Sequence, residues 1–206
     1  MLKVHHLGVS QSDRIVWLCE ELELSYELVR YERDPVTRLA PPEYKALHPS
    51  GTAPVITDGD LVLAESGAII DYLVARYGEG RLTLKADDPA FSRYLYWYHF
   101  ANGSLMPSMM MLMAEGAMAE TMRARADRGF KALDDHLAEG HTWLAGDTFT
   151  VADIMTAFPL TTMRQFVPLD LAPYPNILAY LQRLAARPAF QRAMAKADPD
   201  LVLKLD

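Results

Sequence analysis

The segment HPSGTAPVITDGDLVLAESGAIIDY, residues 48–72, admits few folds. Val55-Ile56 and Leu61-Val62-Leu63 are short apolar runs joined through Asp58-Gly59. A tight hairpin turn needs residues that tolerate positive φ, and Asp-Gly supplies them. The period then changes: Ala68, Ile69, Ile70, Tyr72 and Leu73 recur at helical spacing behind Glu65-Ser66. Pro54 opens the first strand, so the block reads as strand, turn, strand and helix in sequence. A serine at a helix start sets a hydroxyl beside the N–H groups of the first turn, a setting that suits a carboxylate.

Upstream, strands and helices alternate. Residues 3–7 read as a strand, and 13–22 as a helix carrying Ile15, Val16, Leu18, Cys19 and Leu22. Residues 26–29 read as a second strand, and 41–47 as a short helix with proline in its first turn. The order β-α-β-α-β-β-α predicts a sheet covered by helices. Gly78-Glu79-Gly80 closes this unit, and 81–87 reads as a linker. From residue 88 on, the pattern is helical throughout, at 88–115, 119–139, 152–165, 175–186 and 188–196. The expected organisation is an α/β domain at 1–80 and an all-α domain at 88–206. In the second, Asn102-Gly103 followed by Pro107 predicts a bent helix, because proline removes a backbone bond and clashes with the preceding turn. Thr150 and Asp153 have the spacing of a capping box, a structural role, with Phe149 ahead and Ile154 or Met155 behind able to staple the entry.

Composition narrows the functions. Net charge is −7, which disfavours nucleic acid, since that partner needs a basic face. Half the residues are apolar, yet no run approaches the roughly 20 needed to span a bilayer. The opening MLKVHHLGVSQSD lacks an apolar signal core, so a cytoplasmic location is expected. One cysteine, Cys19, allows no intrachain disulfide and fits a reducing compartment. It lies on an apolar helical face and is expected to be buried and inert. The six histidines show no metal spacing, and His5 and His6 would point to opposite faces of a strand, so no metal is expected. No glycine-rich phosphate loop is present.

Three motifs occur in a telling order: Val4-His5-His6-Leu7-Gly8-Val9-Ser10-Gln11-Ser12-Asp13-Arg14, the block at 48–72, and Thr150-Val151-Ala152-Asp153-Ile154. Together they resemble the glutathione S-transferase family, over nearly the whole chain. The first is similar to the catalytic turn of serine-type, theta-like members. Ala40-Pro41-Pro42-Glu43 is similar to the fungal and bacterial branch. The resemblance implies a thioredoxin-like N-terminal domain followed by a helical C-terminal domain. It implies glutathione as co-substrate, an electrophilic and mostly apolar second substrate, and a homodimer in which helices 65–77 and 88–115 face the partner.

The resemblance also implies roles for residues. Ser10 would donate a hydrogen bond to the glutathione thiolate, although by local sequence either Ser10 or Ser12 caps the following helix. Ser10 is taken as the activating hydroxyl, with Ser12 or Asp13 as the cap and Arg14 in a structural ion pair. A cis bond is implied before Pro54, with the Ala53 backbone pairing an extended peptide. Glu65 would hold the γ-glutamyl ammonium and Ser66 its carboxylate, where local sequence alone reads an ordinary helix start. Many relatives carry a lysine where this chain has Thr52, so the glycine carboxylate falls to Thr52 and a nearby cation. Arg38 is preferred over Lys45 and His48. Phe100, Met106 and Met110 are candidates for the electrophile pocket. Met106, Met110 and Met113 share a helix face within a stretch holding six of the eleven methionines, which suits either core packing or a pliable apolar site. Two rival functions stand beside conjugation: glutathione-dependent peroxide or disulfide reduction or isomerisation on the same scaffold, and a non-catalytic binding module.

Overall fold

The computed structural model describes residues 1–206 as two compact units. The first comprises Met1–Arg81 with Arg187–Val202, and the second Leu82–Ala186 with Leu203–Asp206.

In the first unit, β1 (Leu2–Leu7), β2 (Glu27–Tyr31), β3 (Val55–Asp58) and β4 (Leu61–Ala64) form one sheet in the order β2-β1-β3-β4. β1 and β2 are parallel, joined by helix α1 (Asp13–Glu21); β3 runs antiparallel to both β1 and β4. Val4, Ile56, Ile15 and Leu18 are fully buried, together with Ile69, Ile70 and Leu73 of α3 (Ser66–Tyr77). The short α2 (Pro42–Lys45) buries Tyr44, whose hydroxyl donates to the His5 carbonyl. At the hairpin, Gly59 takes a positive φ of 59°, as its turn requires. Asp58 accepts from the hydroxyls of Tyr72 and Tyr77, which ties that turn to α3.

The last helix, Pro188–Ala197, belongs to this first unit although it lies at the far end of the chain. Local periodicity finds the helix but says nothing of its partner. It packs on α1: Trp17 meets Phe190 edge to face at 4.8 Å, and Arg187 grips both Glu21 oxygens at 2.7 and 2.8 Å. Beside them Glu20 receives Lys196 at 2.5 Å, Arg192 at 3.2 Å and the Tyr26 hydroxyl at 2.7 Å. Burial works to raise the Glu20 carboxyl, but these three donors outweigh it and hold the group below its ordinary value.

The second unit is helical: α4 (Phe91–Phe100), α5 (Met106–Met111), α6 (Ala119–Ala138), α7 (Val151–Leu160) and α8 (Pro175–Ala185), so that the helix of the first unit described above is α9. The expected bend is a π-helical segment, Ala101–Leu105, with the Met106 N–H reaching back to the Ala101 carbonyl. One widened turn absorbs the proline that follows. The helix expected over 88–115 therefore ends its regular course at Met111. The helix expected over 152–165 runs through Pro159 and stops at Leu160, where Thr161 leaves helical geometry at φ −121° and ψ −91°; a 3₁₀ turn, Thr162–Gln165, continues the chain. The capping box forms as its spacing predicts. The Thr150 side chain accepts from the Ala152 N–H at 3.3 Å, and Asp153 accepts from the Thr150 N–H at 2.9 Å. Asp134 of α6 serves α8 in the same way, accepting from the N–H groups of Asn176 and Ile177 at 2.8 and 2.9 Å. A carboxylate suits that helix end, where partial positive charge gathers. No helix is long and apolar enough to cross a membrane.

Candidate active site

Strand register gathers the sequence-predicted residues of the first unit at one end of its sheet. β1 ends at Leu7, paired with Tyr31, where β2 also ends. His5 pairs with Val55, where β3 begins, and Val55 pairs with Ala64, where β4 ends. Ser10 after β1, Arg38 after β2, Thr52-Ala53-Pro54 before β3 and Glu65-Ser66 after β4 therefore share this end. Ala53 packs on the cluster of Leu7, Tyr44, Val55 and Ala64 beneath them. The Ala53-Pro54 bond is cis.

Three residues here hold backbone conformations that side chains disfavour, Arg38 with φ 61° among them. Val9, just before Ser10, has φ 52°, and Glu65, just before α3, has φ 72°. Positive φ in a β-branched residue is a genuine outlier, held only where its surroundings over-determine it. At Val9 the surroundings are clear. Its N–H donates to Asp198 Oδ1 at 3.1 Å, and its carbonyl accepts from Arg33 at 3.2 Å. Arg33 also donates to the Gly8 carbonyl at 2.7 Å and to the Arg38 carbonyl at 2.9 Å.

Ser10 is 4% exposed, and its Oγ lies 2.7 Å from Ser12 Oγ. Ser12 occupies the N-cap position of α1, but its hydroxyl makes no capping bond and its φ is −70°. The expectation of a Ser12 side-chain cap is corrected: that hydroxyl lies 2.8 Å from His6 Nδ1 and takes the Leu7 N–H at 3.2 Å. Four polar contacts inside the turn leave it no reach toward the helix. Arg14 is also placed more specifically than a structural ion pair. It is 1% exposed and donates to Gln11 Oε1 at 2.6 Å and to Ser66 Oγ at 3.4 Å, which links the turn of Ser10 to the start of α3.

Ser66, at 2% exposure, is the first residue of α3 rather than its cap; Glu65 holds the cap position with an exposed side chain. Thr52 is exposed and its hydroxyl donates to Ser50. Among the basic alternatives, His48 Nδ1 is engaged with Ser50 at 2.9 Å, while Arg38 and Lys45 are exposed. In the second unit, Phe100 is 9% exposed, Met106 is half-buried and Met110 is 54% exposed. With Met113 at 53%, the methionine stripe is not core; Met109, off the stripe and fully buried, is.

Sequence reading assigned nothing to His6, Asp198 or Arg33. Asp198 lies far beyond any local pattern, and His6 read as one half of an uninformative pair. The two histidines do face opposite ways: His5 meets Tyr31 and Thr57, and His6 meets Ser12 and Asp198. No cluster of three or more His, Cys, Asp or Glu residues forms a metal site.

Cys19 is fully buried, and burial first, then the neighbouring Glu20, push its thiol well above the ordinary range. Native protein should therefore resist a thiol reagent at pH 8, while denatured protein takes up one equivalent. Rapid labelling of the folded chain would contradict a buried, inert thiol.

Comparison with known proteins covers both units. Residues 5–81 match the family model described as "Glutathione S-transferase, N-terminal domain", and residues 99–188 match "Glutathione S-transferase, C-terminal domain". Glutathione S-transferase 3 of Schizosaccharomyces pombe is 31% identical, over 96% of this chain and 88% of its own. A solved glutathione S-transferase from Actinobacillus pleuropneumoniae is 40% identical with a TM-score of 0.88, covering 96% of this chain and 93% of its own. A sphingomonad glutathione S-transferase, solved complexed with glutathione, is 25% identical with a TM-score of 0.74, covering 95% of this chain and 98% of its own.

Proposed function

Because this chain belongs to the glutathione S-transferase family and is a glutathione transferase with glutathione as co-substrate, we propose that it is a serine-type member that activates the glutathione thiol at Ser10. The observation that carries this reading is the join between Ser10 and Ser66. Ser10 follows a left-handed Val9 at one end of the sheet, and Gln11 and Arg14 connect that turn to Ser66 at the start of α3. Glutathione is a short extended peptide with a charged group at each end, and the residues at this sheet end match it in order. Glu65 suits the γ-glutamyl ammonium. Ser66 and the N-terminus of α3 suit its carboxylate. The Ala53 backbone suits the middle of the peptide, and Thr52 with Arg38 the glycine end.

A thiol in water has a pKa of about 8.5 and is mostly protonated at neutral pH. Each unit of lowering favours the anion by about 1.4 kcal/mol. The N-terminus of α1 and one charge-assisted hydrogen bond from Ser10 suffice for one to two such units. The thiolate then attacks the electrophile, and proximity supplies much of the rate. Phe100, Met106 and Met110 are proposed to contact that apolar substrate. A homodimer is also proposed, supported by Leu95 at 37% and Tyr96 at 55% exposure on α4. A cytoplasmic location is proposed from the single buried cysteine.

Calorimetric titration with reduced glutathione, with thiolate absorbance followed against pH, tests the reading. Saturable binding with a bound-thiol pKa well below the free value is expected. Binding without thiolate at neutral pH would remove Ser10 activation, and absence of binding would favour a non-catalytic module.

A further inference from the structure

Behind Ser10 runs a buried chain of hydrogen bonds that no sequence motif announces. Ser10 Oγ lies 2.7 Å from Ser12 Oγ, Ser12 Oγ lies 2.8 Å from His6 Nδ1, and His6 Nε2 lies 3.1 Å from Asp198 Oδ2. The His6 side chain is 0% exposed and that of Asp198 is 7% exposed. The chain therefore runs inside the protein from the catalytic turn to the end of α9.

Counting protons gives its direction when His6 is neutral. Asp198 is ionised: burial acts to raise its carboxyl, but the His6 hydrogen bond first, then the Val9 N–H and Arg30, hold it below the ordinary value. An ionised carboxylate only accepts, so His6 Nε2 carries a hydrogen. In a neutral imidazole Nδ1 is then bare, and at 2.8 Å it takes the one proton of Ser12 ahead of the Leu7 carbonyl at 3.4 Å. Ser12 Oγ has two lone pairs left. The Leu7 N–H occupies one at 3.2 Å, and the Ser10 hydroxyl, the remaining donor, occupies the other. The Ser12 N–H in turn donates to Ser10 Oγ at 3.3 Å. At rest, then, Ser10 points its proton inward and offers a lone pair outward. That arrangement cannot donate to a thiolate. It can accept from a thiol.

We propose that Ser10, Ser12 and His6 form a proton relay, anchored by Asp198, that takes up the proton of the glutathione thiol. This rests on Ser10 facing that thiol. The S–H bond breaks as its proton passes to Ser10 Oγ. The proton Ser10 held passes to Ser12 Oγ, and the proton Ser12 held passes to His6 Nδ1. The products are a thiolate and an imidazolium paired with the Asp198 carboxylate; only protons move. Every hydroxyl has turned over, so Ser10 now donates to the thiolate, as a serine-type site requires. Asp198 and His6 act through Ser12 and are positioning residues. Asp198 has a second task in the same turn, since its other oxygen holds the strained Val9 N–H. The charged groups around the far end of the relay are Asp198 just past α9, Arg30 paired with His6 in register, and Glu32 and Arg33 beyond β2.

The test counts protons on the full chain with reduced glutathione as probe. Binding is measured at pH 7.5 by calorimetry in buffers of different ionisation enthalpy, and thiolate is measured by absorbance in the same samples. A relay keeps the thiol proton on the protein, so wild type should form thiolate while releasing far less than one proton per thiolate. S12A cuts the relay in the middle. D198N keeps an acceptor for the Val9 N–H but turns an amide N–H toward His6 Nε2, which forces the hydrogen onto Nδ1. In either variant His6 can no longer take up the proton through Ser12, so each thiolate formed should release one whole proton. If S12A does not fold, D198N alone decides. Release of one full proton per thiolate in wild type would overturn the relay, as would release of far less than one proton per thiolate in both S12A and D198N. An unchanged thiol pKa in S10A would instead remove Ser10 itself, and the relay with it.

Discussion

Replacing Asp153 by alanine is expected to destabilise the helical unit by about 3–5 kcal/mol, the range for a broken buried polar network. Asp153 is fully buried and accepts from four donors: the Leu144 N–H at 3.0 Å, the Thr150 N–H at 2.9 Å, the Tyr180 hydroxyl at 2.9 Å and the Thr150 hydroxyl at 3.4 Å. Alanine strands them all, and each buried donor left unmade costs about 1–3 kcal/mol. Relaxation recovers part of that sum. For a chain of this length, the midpoint of thermal unfolding should fall by about 10 °C. The effect also carries a pH signature. Burial pushes the Asp153 carboxyl up to about 6, against the pull of its four donors. The native state therefore binds more protons than the unfolded state between the unfolded value and about 6. Stability contributed by this group is present at acid pH and lost as pH rises through about 6. The advantage of wild type over D153A should shrink by about 2 kcal/mol between pH 4 and 7.5. Equal stability of the two proteins at pH 7 would show that the box does not hold this helix.

Asp153 was legible in the sequence because it lies in a local motif whose geometry follows from nearby residues, whereas Ser10 was singled out by resemblance and local sequence read it only as a possible helix cap. Thr150 and Asp153 meet because a helix start brings residues three apart together. The hairpin at Asp58-Gly59 and the helix at Ser66 are equally local. The register of the sheet then gathers Ser10, Ala53-Pro54 and Glu65-Ser66, so their convergence follows once the strand order is known.

What stayed hidden depends on contacts distant in sequence or on competition between partners. Nothing local tells α9 to pack on α1, so neither the Glu20 and Glu21 ion pairs nor the Asp198 contact with His6 could be read. Ser12 looked like a cap because serine before a helix usually is one; His6 Nδ1 at 2.8 Å wins the hydroxyl instead. Arg33 read as one charge in a polar stretch, yet it holds the carbonyls of Gly8 and Val9. Periodicity also overran helix ends at Met111 and Leu160, since apolar spacing continues where π and 3₁₀ turns have already changed the backbone.

Replacing Ser10 by alanine is expected to lower kcat/KM for conjugation by about 10²- to 10³-fold, the usual effect of deleting one preorganised donor to a developing anion. Glutathione affinity should stay nearly unchanged, because the groups assigned to its two ends and its backbone lie on other segments: Glu65-Ser66, Ala53 and Thr52. The loss should appear in kcat as well as kcat/KM, since the interaction with sulfur strengthens only as the thiolate forms. The bound-thiol pKa should rise toward the free value of about 8.5. A thiolate is the reactive form, so the mutant should regain rate as pH is raised, and its activity limb should move to higher pH. The fold should survive, because Ser12 keeps His6 and the Leu7 N–H, and Val9 keeps Asp198 and Arg33. Thermal unfolding measured beside turnover separates the two effects. Unchanged turnover in a folded S10A protein would move the activating role to another group, and Ser12, 2.7 Å away, would be the first to test.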